Sequence, residues 1–235
     1  MENKANDSKM MVKFEIDNRE IKLTPSIVKE YIVGDSNANI TNQEFKLFTE
    51  LCMVRKLNPF LKEAYLIKYG NQPAQIVVGK DAILKRAINN KDFNGREQGI
   101  IIQNEEGEIE YRKGTFKLST EALVGGWAKV YRKNWEYPTE VTVSFEEVAQ
   151  KKKDGELNSN WLKKGPTMVE KVALVRALRE TFSEDIGGMI DESEAWDSKD
   201  LSKNKRTVEE ATIVQDDVGE AEKSEGKKVN IEDLG

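Results

Sequence analysis

A long apolar helix in the second half of the chain constrains the fold more than any other segment. The stretch "GPTMVEKVALVRALRETF" (165–182) opens at a proline, the residue favoured in the first turn of a helix, and continues unbroken for about five turns. Apolar residues lie on most of its sides, which does not suit a helix with one face in water. The sequence therefore predicts a long C-terminal core helix that is buried or wedged between subunits.

Three pairs of short apolar segments, each joined by a polar turn, predict β-hairpins. The pairs are 64–70 with 74–79, 99–103 with 108–114, and 126–133 with 139–145. Because short turns join antiparallel strands, the sequence favours an α+β fold, with antiparallel hairpins packed against helices, over a doubly wound one.

The remaining elements are short. Residues 11–16 alternate as a strand does, and helices are predicted over 24–34, 41–57 and 80–90. Thr41 and Glu44 have the spacing of a capping box, which marks the start of the second helix.

Charge divides the chain into two parts. Residues 191–235 hold 7 Lys+Arg and 14 Asp+Glu, whereas the whole chain holds 37 and 42, so residues 1–190 have a net charge of +2. Sustained periodicity ends near residue 190. We expect a mildly basic core over 1–190 and an acidic, flexible C-terminal tail over 191–235.

Several chemistries do not fit the composition. The chain has no histidine and one cysteine, so His-based catalysis, a His-ligated metal, an internal disulfide and a cysteine zinc site are excluded. Cys52 lies in an apolar helical pattern and is expected to be a buried, inert thiol. The carboxylates are too dispersed for a two-metal nuclease. We expect no enzyme, no cofactor, no membrane span and a cytoplasmic location.

Basic and aromatic residues alternate in the segment "GWAKVYRKNWEYP" (126–138). In a strand, Trp127, Lys129, Tyr131 and Lys133 share one face, and Arg132 lies on the other. Rings that stack on bases and ammonium groups that hold phosphates would suit single-stranded nucleic acid. The alternative is that the rings pack on the core and the lysines reach outward.

Three further cations are candidates for phosphate contacts. Lys80 stands at a strand-to-helix junction, where helix amides attract anions, although the full Walker pattern is absent. Arg176 and Arg179 are neighbours on the long helix. They would either pair locally, with Glu170 or Glu180, or hold a phosphate in their guanidinium forks.

Four segments form a pattern that is specific when taken together: "LNPFLKEAYLIKYG" (57–70), "QIVVGKDAILKRAI" (75–88), "KVYRKNWEYP" (129–138) and "NWLKKGPTMVEKVALVRALRETF" (160–182). Together these segments resemble the phage RecT/Redβ (Bet) family of single-strand annealing recombinases. They occur in the family's order and span most of residues 41–190, and the resemblance does not extend to the tail.

The resemblance implies a protein that coats single-stranded DNA and pairs it with a complementary strand, without ATP and without cutting. It also implies homo-oligomeric rings or helical filaments, with single strands and the annealed duplex intermediate in a basic groove. The positions that match family DNA contacts are Lys62, Arg132, Lys133 and Arg179, with Trp161 near the groove.

One position departs from the family pattern. Some relatives carry bases before the methionine that opens the last helix, where this chain has Pro166 and Thr167, so Lys163 or Lys164 would substitute. The candidate DNA-binding set is Lys62, Lys80, Lys129, Arg132, Lys133, Trp161, Lys163, Lys164, Arg176 and Arg179.

Two other functions stay open on sequence alone. One is a general single-stranded DNA or RNA binder that protects without annealing, and the other is a structural oligomer with an incidental basic face. The tail is expected to act in a bacterial host either as a docking segment, for a partner exonuclease or the host single-strand-binding protein, or as a mimic of DNA charge.

Overall fold

The computed structural model describes residues 10–33, 39–68, 73–152 and 154–195. It contains three antiparallel sheets and a set of packed helices, which confirms the predicted α+β class. Within these residues, no helix is long and apolar enough to cross a membrane.

The first sheet is an N-terminal hairpin of β1 (Val12–Ile16) and β2 (Arg19–Leu23). The alternating pattern over 11–16 predicted β1, whereas β2 was not predicted. The turn residues Asp17 and Asn18 both have positive φ, 49° and 61°, as the tight turns of twisted hairpins require. This Asp-Asn pair between two alternating segments was the signal for the second strand.

Three helical segments follow in the N-terminal half. The short helix α1 (Pro25–Ile27) is capped by Thr24 and continues into a π-helical turn over Val28–Ile32. Helix α2 (Asn42–Val54) starts with the predicted capping box and ends three residues before the predicted boundary. Cys52 on α2 is fully buried, and burial raises the pKa of its thiol to about 12, as expected of an inert thiol.

The second sheet is the predicted hairpin of β3 (Ala64–Ile67) and β4 (Gln75–Val78), and helix α3 (Lys80–Asn89) follows it. A short 3₁₀ turn, Pro59–Leu61, precedes β3.

The third sheet has the strand order β6-β5-β7-β8. Its strands are β5 (Phe93–Gln103), β6 (Ile109–Lys113), β7 (Ala122–Arg132) and β8 (Thr139–Ser144). The hairpins β5–β6 and β7–β8 were predicted, and the antiparallel pairing of β5 with β7 joins them into one sheet. A short helix, α4 (Phe145–Val148), leaves the end of β8.

Helix α5 (Ser159–Thr181) covers one face of this sheet. It starts before the predicted proline, and Lys164 interrupts it with non-helical angles (φ −133°, ψ 32°), so Pro166 opens a second helical segment. Gly126 on β7 lets the two elements approach closely, since a Cβ atom there would lie 2.5 Å from the carbonyl oxygen of Val169. The buried, mostly apolar character predicted for this helix is confirmed.

The described chain ends in a short helix, α6 (Ser183–Ile186), and a packed segment after it. Asp191 and Ser193 are buried, so close packing continues through the first residues of the segment assigned to the tail. The rest of that segment, from Trp196 onward, lies outside the described residues.

Glu44 joins α2 to the β3–β4 hairpin. Its carboxylate accepts hydrogen bonds from Lys68 Nζ at 2.8 and 2.9 Å, from the Thr41 amide at 2.8 Å and from the Ala74 amide at 2.7 Å. Burial alone would raise the pKa of Glu44, but the hydrogen bonds from Lys68, Thr41 and Ala74 outweigh it and lower the pKa to about 2.

We predict that Glu44→Gln lowers the free energy of unfolding by about 2–3 kcal/mol at pH 7, because it leaves the buried Lys68 without its carboxylate. The pKa of Glu44 is depressed in the folded state, so this stabilisation is complete above the ordinary glutamate pKa and is lost as the pH falls toward 2. Urea unfolding at pH 7 and pH 3 measures it, and the difference from wild type should fall by more than half at pH 3.

Glu50→Gln is the matched control, because Glu50 lies exposed on the same helix and loses the same charge. A Glu44→Gln variant as stable as Glu50→Gln at pH 7 would contradict the role assigned to Glu44.

Candidate nucleic-acid interface

Successive residues of β7 lie on opposite faces of the sheet, as the strand pattern predicted. Ala128 and Val130 are fully buried beneath α5, and Trp127, Lys129 and Tyr131 lie on the opposite face. Trp127 is nevertheless buried, because its ring packs 6.3 Å from that of Tyr111 and its indole donates to the carbonyl of Arg112 at 3.3 Å. Of the two interpretations left open for this ring, packing is the one the structure supports.

The cations on this open face of the sheet are paired. Lys129 lies 3.1 Å from Glu140 on the neighbouring strand, and Lys113 lies 2.5 Å from Glu97. Tyr131 donates its hydroxyl proton to Glu97 at 3.0 Å. The hydrogen bond from Lys113 holds the pKa of Glu97 below its usual range. Such part-exposed pairs contribute little stability, so a phosphate could replace the carboxylate.

The side chain of Arg132 is held by contacts with other groups of the protein. Its guanidinium donates to the carbonyl of Thr181 at 2.9 Å, pairs with Glu184 at 2.6 Å and lies 3.6 Å from Asp92. It also stacks between Trp135 and Phe182, at 5.3 and 5.2 Å from the ring centres. Arg132 therefore ties the end of β7 to the end of α5.

Lys133 and the hairpin tip face outward. The ammonium of Lys133 donates to the backbone carbonyl of Lys91 at 2.7 Å, and the side chain is exposed. Asn134 turns the chain with a φ of 65°. Trp135 and Tyr137 then present half or more of their surface to solvent, 50% and 73%. The tip thus combines an available ammonium with two accessible rings.

The two arginines of α5 have a distant partner. Arg179 forms a two-pronged ion pair with Glu194, and Arg176 lies 3.8 Å from Glu194 and 3.6 Å from Glu147. The expectation of local pairing with Glu170 or Glu180 is wrong, because Glu170 faces the sheet and pairs with Lys80 instead.

Lys171 is a cation on α5 that sequence analysis missed. It lies 3.0 Å from Asp191. Lys171 and Arg179 are eight residues apart, and this spacing places both on the same side of a helix. The spacing was the signal in the sequence that could have added Lys171 to the candidate cations.

The remaining predicted cations lie on other elements. Lys80 begins α3, and its ammonium lies 3.5 Å from Glu170, with the side chain about a quarter exposed. Lys62 ends the 3₁₀ turn in a left-handed conformation (φ 57°) and is exposed. Lys163 and Lys164 are exposed at the kink of α5.

Trp161 requires a correction. Its side chain is 1% exposed and packs edge-on against Phe145, with ring centres 5.7 Å apart. A ring enclosed in this way cannot stack on a base while α5 keeps its place. We therefore remove Trp161 from the set of candidate contacts.

The candidate cations thus fall into two groups. Lys62, Lys133, Lys163 and Lys164 are exposed and form no ion pair with any described residue, whereas the others are paired with carboxylates. The described part of the chain holds no cluster of side chains suited to a metal ion.

An α+β chain with exposed lysines and exchangeable ion pairs has the features of a protein that binds a polyanion. Comparison with known families defines it further, because the model of the RecT family matches residues 18–212. The chain belongs to the RecT family, which confirms the resemblance found in the four sequence segments. The match extends beyond residues 41–190 on both sides. A search of curated proteins finds no match.

The adjacent residues Arg132 and Lys133 give a matched test of the geometry. We predict that Arg132→Ala lowers the melting temperature by several degrees, because it removes the tie between β7 and α5. Lys133→Ala should melt nearly as wild type does and weaken oligonucleotide binding, with a loss of about 0.7 in the salt slope if it holds one phosphate. Thermal melting and fluorescence anisotropy of both variants measure this. Early melting of Lys133→Ala with normal melting of Arg132→Ala would reverse the assignment.

Proposed function

We propose that the protein coats single-stranded DNA and pairs it with a complementary strand, without ATP, during homologous recombination of phage DNA. The observation that carries the proposal is the family match over residues 18–212. Membership of the RecT family implies a single-strand annealing protein of recombination, and the details of the activity are our proposal for this chain.

The positions of the exposed side chains favour contacts with the DNA backbone over recognition of particular bases. The exposed lysines are on three different parts of the fold, which suits contacts spread along a strand: Lys62 ends the 3₁₀ turn, Lys133 follows β7, and Lys163 and Lys164 lie at the kink of α5. Their ammonium groups would hold phosphates and release counterions, an interaction without sequence preference. Trp135 and Tyr137 at the hairpin tip are accessible for stacking. Bases held only through their backbone stay free to pair.

The cations that pair with carboxylates form a second group of proposed contacts to DNA phosphates. Lys80, Lys129, Arg176 and Arg179 would reach phosphate after leaving their carboxylate partners. Because the ion pairs of Lys129, Arg176 and Arg179 are part-exposed, their exchange has a small net cost, whereas the departure of Lys80 would leave the buried Glu170 without its cation. Arg132 we assign to holding the hairpin in place.

Self-association is part of the proposal. Large apolar side chains are exposed in the N-terminal half, and they include Tyr31, Leu47, Val54 and Leu61, each with more than 60% of its surface accessible. Where such side chains lie together in one patch, they are typical of protein contact sites. We propose that they serve a ring or helical filament, and that the tail recruits a partner exonuclease or the host single-strand-binding protein in the bacterial cytoplasm.

The alternative function is protection of single strands without annealing. Both functions need backbone contacts, so the structure favours neither, and the family match supports annealing.

An annealing assay separates the two functions. We predict that the protein, in excess over two complementary labelled oligonucleotides, accelerates their pairing without nucleotide or metal. Binding to either strand alone should weaken steeply with salt, with a log–log slope of several times about −0.7. Slower pairing than in buffer would support protection instead. Absence of any shift with a labelled oligonucleotide would support a structural oligomer.

A further inference from the structure

The last described segment of the chain lies against the basic side of α5. We call residues 191–195 the acidic strap. The side-chain amide of Gln150 donates to three of its backbone carbonyls, at 3.0, 3.2 and 3.3 Å, and Tyr65 donates to the Glu192 carboxylate at 3.1 Å. The strap is therefore docked through both its backbone and a side chain.

Asp191 anchors one end of the strap. It is fully buried, and its Oδ1 accepts from the Ser193 amide at 2.9 Å, the Ser193 hydroxyl at 2.6 Å and Lys171 at 3.0 Å. A buried carboxylate with these partners is costly to remove. The anchor keeps Glu194, three residues further along the strap, beside the arginines of α5.

Glu194 bridges those arginines. Its two oxygens contact the two terminal nitrogens of Arg179, and Oε1 lies 3.8 Å from Arg176 Nε. The Arg179 and Arg176 side chains keep 27% and 35% of their surface exposed, so the pairs are open to solvent. The Nε of Arg179 is buried and has no hydrogen-bond partner among the described residues.

A carboxylate and a phosphodiester present similar groups to a guanidinium. Each offers two equivalent oxygens that share one negative charge, and arginine binds either with two parallel hydrogen bonds. Glu194 thus has the position and charge that a DNA phosphate would take on Arg176 and Arg179.

We propose that Glu194 masks a phosphate-binding site formed by Arg176 and Arg179, and that the backbone of single-stranded DNA displaces it. The inference rests on the proposed function. Glu194 then competes with DNA phosphates for the two arginines. A long, highly charged strand displaces Glu194, whereas a small anion does not. Because salt screens the pair of Glu194 with the arginines, the masking is strongest at low ionic strength.

The test compares Glu194→Gln with Glu192→Gln in the full chain. Both remove one negative charge from the strap, but Glu192 contacts Tyr65 and neither arginine. Binding to a fluorescent oligothymidylate is measured by anisotropy at two salt concentrations. Glu194→Gln should tighten binding about three- to tenfold at low salt, with a smaller gain at high salt, and Glu192→Gln should change it less than about twofold.

Three results would overturn the inference. Equal gains for the two variants would show a general effect of charge, no gain would show that Glu194 does not compete, and weaker binding by Glu194→Gln would show that it orients the arginines for DNA.

Adding Arg179→Ala to Glu194→Gln should abolish the gain, and melting curves of each variant check the fold. If the wild-type protein binds the oligothymidylate and Glu194→Gln does not bind it more tightly, only this inference is refuted. If neither binds, the proposed function falls as well.

Discussion

The direct contact between the backbones of α5 and β7 sets how closely the longest helix packs on the four-stranded sheet. At Gly126 the strand has no side chain, and the carbonyl of Val169 occupies the space that a Cβ atom would need. The helix therefore lies low enough to bury Ala128 and Val130 completely. Packing this close fixes the rotation of α5, and with it the side of the helix that carries Lys171, Arg176 and Arg179.

Ion pairing within the protein accounts for the nearly neutral core of a chain for which we propose DNA binding. Most cations near α5 and the sheet have a carboxylate partner, so the surface carries little free positive charge until a polyanion replaces those partners. We propose that the exposed lysines supply the first attraction and that the part-exposed ion pairs supply further contacts once a strand is bound. We assign Arg132 a structural role instead, because its three acceptors and two rings hold it at the junction of β7 and α5.

Local signals in the sequence predicted much of the fold. The capping box at Thr41 and Glu44, the three hairpins and the apolar helix each depend on residues close in sequence, and the structure contains all of them. The pairing of β5 with β7, the burial of Trp161 and the pairing of Arg179 with Glu194 depend on tertiary contacts that spacing alone does not specify. Composition and motif resemblance identified basic positions, but only the three-dimensional structure separates the exposed lysines from the paired ones.

Electron microscopy of the full chain, with two complementary oligonucleotides added in succession, would show directly how the protein holds DNA. We predict an oligomer in which a DNA backbone runs past the exposed lysines and contacts Arg176 and Arg179, with Glu194 displaced from both. The first strand should keep its base edges accessible, and the second strand should pair with it in place. A map in which DNA contacts the opposite surface while Glu194 stays on the arginines, or in which the second strand does not pair, would refute this mode of binding.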